Sequence, residues 1–333
     1  MILKDTYLLT SCGWNTVQNL IVGEKISGLH DNKLTLSTIT NIKKNKYSGQ
    51  VYRVRKSQVL PDTKLLTKTN RLKKIKNIKN KNNIIVPKYN YSGYKLNPIV
   101  YKGLMLDTCL ALTLIGYFVE CGKLEGKKTT VFKNNKKKLN TVSNTLNLLN
   151  IENFMSISNK GLLLYVYDKS LYGFLLQFYH DKSQLNSNTH KYIPRKFINL
   201  GSCYLRYLLE SMLISSDFDI SCITKDLKLT SKANAVIATQ SKTLVDNIHE
   251  IAIKLGFLFN TLSILRDPMR KKQYNPLEHK DVHGYFETKI LRQNRIKKIT
   301  KNKIDTTVYH ISTIPKLKQT LIRNNSLPLF IGT

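Results

Sequence analysis

Two short segments with matching patterns constrain the fold of this chain more than any other feature. Residues 114–122 read Leu-Ile-Gly-Tyr-Phe-Val-Glu-Cys-Gly, and residues 209–217 read Leu-Glu-Ser-Met-Leu-Ile-Ser-Ser-Asp. Each segment belongs to a stretch whose apolar residues recur at helical spacing, and each stretch is followed by strand and helix patterns. Residues 104–265 are therefore interpreted as an internal duplication of helix, strands and helix.

The chain is predicted to belong to the α+β class. The first cycle is predicted as a helix along residues 110–121, strands at residues 129–132 and 162–167, and a helix at residues 171–179. The second cycle is predicted as a helix over residues 204–215, a strand at residues 233–239, and a helix opened by Ser241 and stopped by Gly256. Short strands separated by turn signals are predicted before about residue 90 and again at residues 307–313.

The charge balance predicts a polyanionic partner. The chain has 54 Lys and Arg residues against 21 Asp and Glu residues, which gives a formal net charge of +33. Such an excess costs self-repulsion, so it usually reflects binding to a nucleic acid or another polyanion. A genome rich in A and T inflates lysine, but it does not explain why acidic residues are scarce.

Other classes of protein are disfavoured by the same composition. No apolar run approaches the roughly 18 residues that span a membrane, and the first residues lack the layout of a secretory signal. The five cysteines contain no C-x-x-C pair, which argues against a disulfide framework or a zinc site and suits a reducing, intracellular compartment. His279 and His283 stand four residues apart without a nearby cysteine, so a metal site there is disfavoured.

The paired segments resemble the two motifs of the LAGLIDADG homing endonucleases. Residues 190–197 (His-Lys-Tyr-Ile-Pro-Arg-Lys-Phe) resemble the family's segment before the second motif, and residues 239–256 resemble the strand end and helix after it. The resemblance implies a two-repeat αββαββα domain in a monomer with an internal pseudo-twofold axis. It also implies that Gly116 and its counterpart Ser211 are small because two helices cross closely there.

The flanking residues resemble the splicing (Hint) domain of inteins. The matching segments are residues 5–14, 22–26, 47–54, 308–313 and 321–333. The resemblance implies an all-β Hint-like domain with the endonuclease domain inserted into it. The expected organisation is a Hint-like part at residues 1–95, the LAGLIDADG domain at residues 96–266, and a basic linker with closing Hint-like strands at residues 267–333.

The positions that protein splicing requires are all replaced. The nucleophile position holds Met1, whose thioether cannot attack a carbonyl, and the position of the activating histidine holds Thr63. The final position holds Thr333, which has no side-chain amide to cyclise. The chain is expected not to splice, and a chain that starts at Met1 is expected to be free-standing, with no preceding host segment to join.

The metal-binding acids of the resembled nuclease are also replaced. In that family each motif helix ends in an acid that helps to hold a divalent ion beneath the scissile phosphate, and those positions hold Cys121 and Ser216 here. Mg²⁺ prefers charged oxygen ligands, so a soft thiol and a neutral hydroxyl are poor substitutes. Glu120 and Asp217 are the adjacent acids, but a shift of one residue turns a helical side chain by about 100°.

Three functions stay open at this point. The first is duplex DNA binding by a catalytically impaired relative of these endonucleases, with lysines of predicted strands and adjoining turns on phosphates. The second is an active, Mg²⁺-dependent site-specific endonuclease that uses Glu120 and Asp217. The third is RNA binding or a structural role in a ribonucleoprotein or viral assembly, for which Tyr165 and Tyr167 alternate correctly to stack on unpaired bases. The candidate phosphate contacts are Lys127, Lys128, Lys133, Lys136, Lys137, Lys138, Lys225, Lys228 and Lys232.

Overall fold

A computed structural model describes most of the chain, and its residues divide into two compact units. The described residues are 1–54, 57–66, 71–78, 89–95, 97, 99–102, 104–126, 128–158, 161–181, 190–213, 235–265, 284–291, 299–324 and 327–332. The first unit comprises Met1–Tyr91, Ala252–Asn260 and Leu291–Thr333, and the second comprises Ser92–Ile251 and Thr261–Ile290. The boundaries expected from the resemblance, after residues 95 and 266, stay predictions.

The strands before Tyr91 are short apart from one. They are β1 (Ile2–Leu3), β2 (Tyr7–Thr10), β3 (Gly13–Thr16), β4 (Lys25–His30), β5 (Lys33–Val54), β6 (Ser57–Val59), β7 (Lys64–Leu66) and β8 (Leu72–Lys74). The turn between β4 and β5 consists of Asp31 and Asn32, which both have positive φ, at 46° and 59°. Two such residues form the tight hairpin turn whose twist matches that of the flanking strands.

The middle of the chain contains all the α-helices of the described residues. Its elements are β9 (Ile99–Tyr101), β10 (Leu104–Leu106), α1 (Thr108–Cys121), β11 (Gly122–Glu125), β12 (Thr129–Lys133), α2 (Lys136–Leu148), β13 (Phe154–Ser158), β14 (Gly161–Tyr167), α3 (Lys169–Leu175), α4 (Arg195–Ile198), α5 (Ser202–Leu213), β15 (Ala235–Thr239), α6 (Lys242–Lys254), β16 (Leu258–Leu265) and β17 (Gly284–Leu291). The chain then closes with β18 (Ile299–Ile314), β19 (Gln319–Asn324) and β20 (Leu327–Gly332).

The first unit is built around one antiparallel sheet. Its strand order is β1-β18-β5-β4-β2-β19-β20-β7-β8, with β3 paired to β2 and β6 paired to β5. The longest pairing joins β5 to β18, from Val54 opposite Ile299 to Thr38 opposite Ile314. Its apolar core includes Leu8, Ile26 and Ile322, so the early and late parts of the sequence form a single buried cluster.

The second unit contains the two-stranded sheet β10-β9, two larger sheets and their helices. One larger sheet has the order β11-β12-β14-β13, and the other has the order β15-β17-β16. The helix predicted for the first motif is confirmed as α1, which begins after Asp107, whose carboxylate accepts a hydrogen bond of 2.8 Å from the Leu110 amide. The helix predicted at residues 171–179 is shorter, because α3 ends at Leu175 and a 3₁₀ turn follows at Leu176–Phe178.

One helix lies where strands and turns were expected. Lys136 and Lys137 form the first turn of α2, and the Oδ1 atom of Asn135 accepts a hydrogen bond of 2.9 Å from the Lys138 amide. Asparagine is a favoured residue at this capping position. The buried residues Leu139, Val142 and Leu146 recur at helical spacing after it. None of the helices in the described residues is long and apolar enough to cross a membrane.

Candidate functional site

The helices α1 and α5 cross closely at Gly116 and Ser211. A Cβ atom on Gly116 would lie 2.7 Å from the carbonyl oxygen of Leu208 and would overlap the hydroxyl oxygen of Ser211. The Ser211 hydroxyl turns back onto its own helix, where the carbonyls of Tyr207 and Leu208 lie 2.9 and 3.0 Å away. The close crossing that the resemblance implied at these two residues is therefore confirmed.

A buried ion pair lies at the C-terminal end of α1. The Nζ atom of Lys138 is 2.6 Å from the Oε2 atom of Glu120, and the two side chains are 1% and 12% exposed. The same ammonium lies 3.4 Å from the Ser211 carbonyl oxygen and 5.5 Å from the ring centroid of Tyr117. The carboxylate of Glu120 thus faces an ammonium supplied by α2.

A second buried lysine caps the same helix end. The ammonium of Lys191 donates hydrogen bonds to the carbonyls of Phe118 at 3.1 Å and Val119 at 3.3 Å, and to that of Gly122. Carbonyls at a helix C-terminus lack partners within the helix and carry partial negative charge, so a cation is favourable there. Burial lowers the pKa of Lys191 to about 8, although Cys121 and Glu120 favour its charged form.

Sequence reasoning did not identify Lys191 as a site residue. Its only signal was its place as the second residue of the segment at residues 190–197 that resembles the region before the family's second motif. The structure brings this segment to the end of α1, and the Ser241 hydroxyl, which caps α6, also bonds to the Lys191 carbonyl.

The thiol of Cys121 is not an effective metal ligand in this setting. Burial raises the pKa of Cys121 well above its usual range, and the neighbouring Glu120 carboxylate raises it further. The thiolate is the form of cysteine that binds metals, so a thiol that stays protonated at neutral pH binds poorly.

The residues at this helix end do not fit a divalent ion. Mg²⁺ needs free charged oxygens, whereas the Glu120 carboxylate is engaged by Lys138. Within the described ranges, no three or more His, Cys, Asp or Glu side chains are grouped so that they could hold a metal ion. Ser216 and Asp217, the second-motif residues of the prediction, lie outside the described residues.

The lysines predicted to contact phosphates have different surroundings. Lys128 precedes β12 and Lys133 is its last residue; both are exposed, as are Lys136 and Lys137 on the first turn of α2. The prediction that Lys138 contacts a phosphate is wrong, because its side chain is buried against Glu120 and does not reach solvent. The remaining predicted residues, Lys127, Lys225, Lys228 and Lys232, lie outside the described residues.

Two of the positions compared with splicing residues, Met1 and Thr63, lie in the first unit. Met1 is exposed. Thr63 is buried, where its amide donates to the Leu60 carbonyl at 3.0 Å and its carbonyl accepts from the Ile75 amide at 2.8 Å. Both of these hydrogen bonds are made by the backbone of Thr63, and its side chain has no basic group. Thr333 lies outside the described residues.

Comparisons with known proteins yield structural neighbours only. No protein-family model matches the chain, and no curated protein matches it. Mesophilic variants of the homing endonuclease I-DmoI are 12% identical, with 55% of this chain and 89% of that chain covered and a TM-score of 0.33. I-DmoI in complex with DNA and Ca is 13% identical, with 55% and 83% covered and a TM-score of 0.33.

Another neighbour is the homing endonuclease I-WcaI bound to its DNA recognition sequence. It is 12% identical, with 56% of this chain and 77% of that chain covered and a TM-score of 0.30. A further I-DmoI structure contains DNA and Mn. These neighbours are homing endonucleases, but TM-scores this low do not assign a function to the chain.

Proposed function

We propose that this chain is a duplex-DNA-binding protein of the LAGLIDADG homing-endonuclease type, set in a Hint-like domain, that neither splices nor cuts DNA efficiently. The observation that carries the proposal is the crossing of α1 and α5 at Gly116 and Ser211, with Glu120 held by Lys138 at the end of α1. The two motif helices still cross closely, but the carboxylate of Glu120 at the end of α1 is paired with the ammonium of Lys138.

The charge of the chain supports the binding part of the proposal. The formal net charge is +33. Four exposed lysines lie on or next to β12 and on the first turn of α2: Lys128, Lys133, Lys136 and Lys137. Contacts from lysine to phosphate position a protein on a duplex and supply most of its sequence-independent affinity.

The ion pair supports the loss of catalysis. If a divalent ion took the Glu120 carboxylate, the ammonium of Lys138 would remain buried without its counter-charge. An uncompensated buried charge is strongly unfavourable. Glu120 therefore acts as the counter-charge of Lys138. The acid position of the motif itself holds Cys121, whose thiol has a raised pKa.

The residue at the position of the activating histidine supports the absence of splicing. Thr63 stands there, and a threonine hydroxyl lacks the basic ring nitrogen that histidine would supply.

The test is a binding selection with the full chain and a randomised duplex library at low salt. We expect duplex DNA to be retained and one set of sequences to be enriched over successive rounds. The matched control is a variant with Lys128, Lys133, Lys136 and Lys137 all replaced by Gln, which should retain less DNA. Failure of the wild-type chain to retain any duplex would overturn the proposal.

A further inference from the structure

The face of the sheet β11-β12-β14-β13 opposite α1 and α2 carries both buried and exposed side chains, since Val131 and Leu163 are buried there and Tyr167 is 64% exposed. Residues alternate between the two faces of a strand, and Leu124, Phe132 and Leu164 are fully buried on the face that α1 and α2 cover. The register places the opposite set in rows across the sheet. One such row consists of Lys123, Val131, Tyr165 and Phe154, one residue from each strand.

Three aromatic rings stack on this face. The ring centroids of Phe154 and Tyr165 are 5.2 Å apart with their planes 13° from parallel. Those of Phe154 and Tyr167 are 5.3 Å apart at 18°, and those of Tyr165 and Tyr167 are 6.3 Å apart at 10°. The three rings form a single nearly parallel group, which we call the aromatic platform.

The aromatic platform is exposed rather than part of the core. Phe154 is 45% exposed and Tyr167 is 64% exposed, while Tyr165 is half-buried. Large aromatic surfaces left in water on a regular sheet indicate a binding surface, because burial against a partner is the favourable alternative.

Two exposed lysines lie beside the aromatic platform, together with two acids. Asp168, next to Tyr167, is paired with Lys102, and Glu152, two residues before Phe154, is exposed. Lys128 directly precedes Thr129, which pairs with Tyr167, and Lys169 follows Tyr167 by two residues. Both lysines are exposed. Lys123, at the other end of the aromatic row, is paired with Glu125. Flat rings can stack on the π-faces of a partner, and exposed ammonium groups nearby attract its negative charges.

We propose that the aromatic platform binds unpaired nucleobases of a single-stranded nucleic acid, with Tyr167 and Phe154 stacking on bases and Lys128 and Lys169 on the adjoining phosphates. This inference goes beyond duplex binding, because a base within an intact duplex is stacked on its neighbours and offers no free face to a side chain. Aromatic residues on an open sheet are the usual means of holding unpaired bases, whether in RNA or in single-stranded DNA.

The test separates stacking from charge. We would measure, by fluorescence anisotropy, binding of the full chain to oligothymidylate of about 12 nucleotides and to an abasic strand of equal length and charge. Wild type is expected to prefer the strand with bases by at least about fivefold. The Phe154→Leu/Tyr167→Leu variant should lose that preference, while Tyr167→Phe should keep it. Oligouridylate of the same length in a parallel arm identifies whether RNA or DNA is the better source.

Matched controls guard against a general loss of structure. Tyr94 is 68% exposed and lies outside this sheet, so Tyr94→Leu should leave the preference unchanged. The single variant Tyr167→Leu, at a mostly exposed position, serves if the double variant does not fold by circular dichroism. A base preference that is absent in wild type, or unchanged in a folded Leu variant, would overturn the inference.

Duplex binding measured in parallel keeps the two proposals apart. Duplex binding without any base preference on single strands would overturn this inference alone and would leave the aromatic platform to a protein partner. A base preference that depends on Tyr167, without duplex binding, would overturn the proposed function and support this inference.

Discussion

The ammonium of Lys138 and the carboxylate of Glu120 lie 2.6 Å apart at the end of α1, with side chains that are 1% and 12% exposed. Each charge depends on the other, since removing one partner of a buried pair leaves an uncompensated charge. Removing either partner alone is therefore costly at this end of α1.

Glu120→Gln should destabilise the second unit. The substitution keeps the shape of the side chain but leaves the buried ammonium of Lys138 without a counter-charge, so we expect a loss of about 3 kcal/mol in the free energy of unfolding. Urea unfolding followed by far-UV circular dichroism measures it, because the α-helices lie in this part of the chain. A loss smaller than that of an exposed pair would contradict the prediction.

The control for that loss is the exposed pair Lys123–Glu125, whose side chains are 34% and 38% exposed. Glu125→Gln should cost less than about 1 kcal/mol, because surface pairs contribute little. Combining Glu120→Gln with Lys138→Met should recover much of the loss of the single variant, since the unpaired ammonium of Lys138 is then absent.

Gly116→Val should weaken the crossing of α1 and α5. Even a Cβ atom at this position would overlap the Ser211 hydroxyl, so the larger side chain overpacks the contact by about 1–3 kcal/mol. The same unfolding measurement applies, with Gly173→Ala as the control, because no described atom lies within 4 Å of a Cβ atom built at Gly173. Equal stability of Gly116→Val and wild type would contradict a close crossing.

Lys191 should give the second unit a pH-dependent stability above pH 8. Its folded-state pKa is about 8 against an ordinary value of 10.5, so between these values the unfolded chain holds the proton and the folded chain does not. Stability due to this group therefore rises with pH across the window, by on the order of 3 kcal/mol in total. Below pH 8 the cost of burying the charge is fully present.

The comparison with Lys191→Met isolates that contribution. Cys121 and the buried tyrosines act in the opposite direction at alkaline pH, but they are common to both proteins. The stability of wild type minus that of the variant should rise from about pH 8 to about pH 10.5. Lys242→Met, at an exposed position, should show no such difference, and a flat difference for Lys191→Met would refute the assignment.

Affinity for duplex DNA should fall steeply with salt. Six to ten phosphate contacts would lose roughly 10³–10⁵ in affinity between about 50 and 200 mM salt. Replacing Lys128, Lys133, Lys136 and Lys137 by Gln should reduce the salt slope by about one for each phosphate that a lysine no longer neutralises. Lys74→Gln is the control, since that ammonium lies 3.1 Å from the Asp62 carboxylate. Salt-independent binding would count decisively against the prediction.

The wild-type chain should cut DNA poorly or not at all with Mg²⁺. The thiol of Cys121 and the paired carboxylate of Glu120 supply no free charged oxygen. Cys121→Glu with Ser216→Asp is expected to raise cutting of a randomised duplex library by restoring both acids of the resembled motifs. Efficient wild-type cutting that disappears in Glu120→Gln/Asp217→Asn would instead support an active nuclease.

Local patterns predicted the helices better than they predicted the surroundings of charged residues. The spacing of apolar residues up to Cys121 predicted α1, and the capping hydroxyl and terminal glycine around residues 241–256 predicted α6; both helices are confirmed. Helical spacing is local information, because the residues that form one face lie within a few turns of each other.

The burial of Lys138 and Lys191 could not be predicted in this way. Within the run Lys136–Lys138 the three residues are identical, and only contact with Glu120 on another helix distinguishes the third. The partners of Lys191 are carbonyls about 70 positions earlier in the chain. Alternation placed Tyr165 and Tyr167 on one face of β14, but local alternation does not predict that α1 and α2 pack on the opposite face or that Tyr167 is exposed.

The pairing of β5 with β18 determines when the first sheet can be completed during protein synthesis. Residues 38–54 are made early, whereas their partners at residues 299–314 emerge only after the entire second unit has been translated. Until then, one edge of β5 keeps its amide and carbonyl groups unpaired, and such an edge pairs readily with other chains. The nascent protein must therefore protect an incomplete N-terminal sheet while its middle folds, and its last strands are the ones that close it.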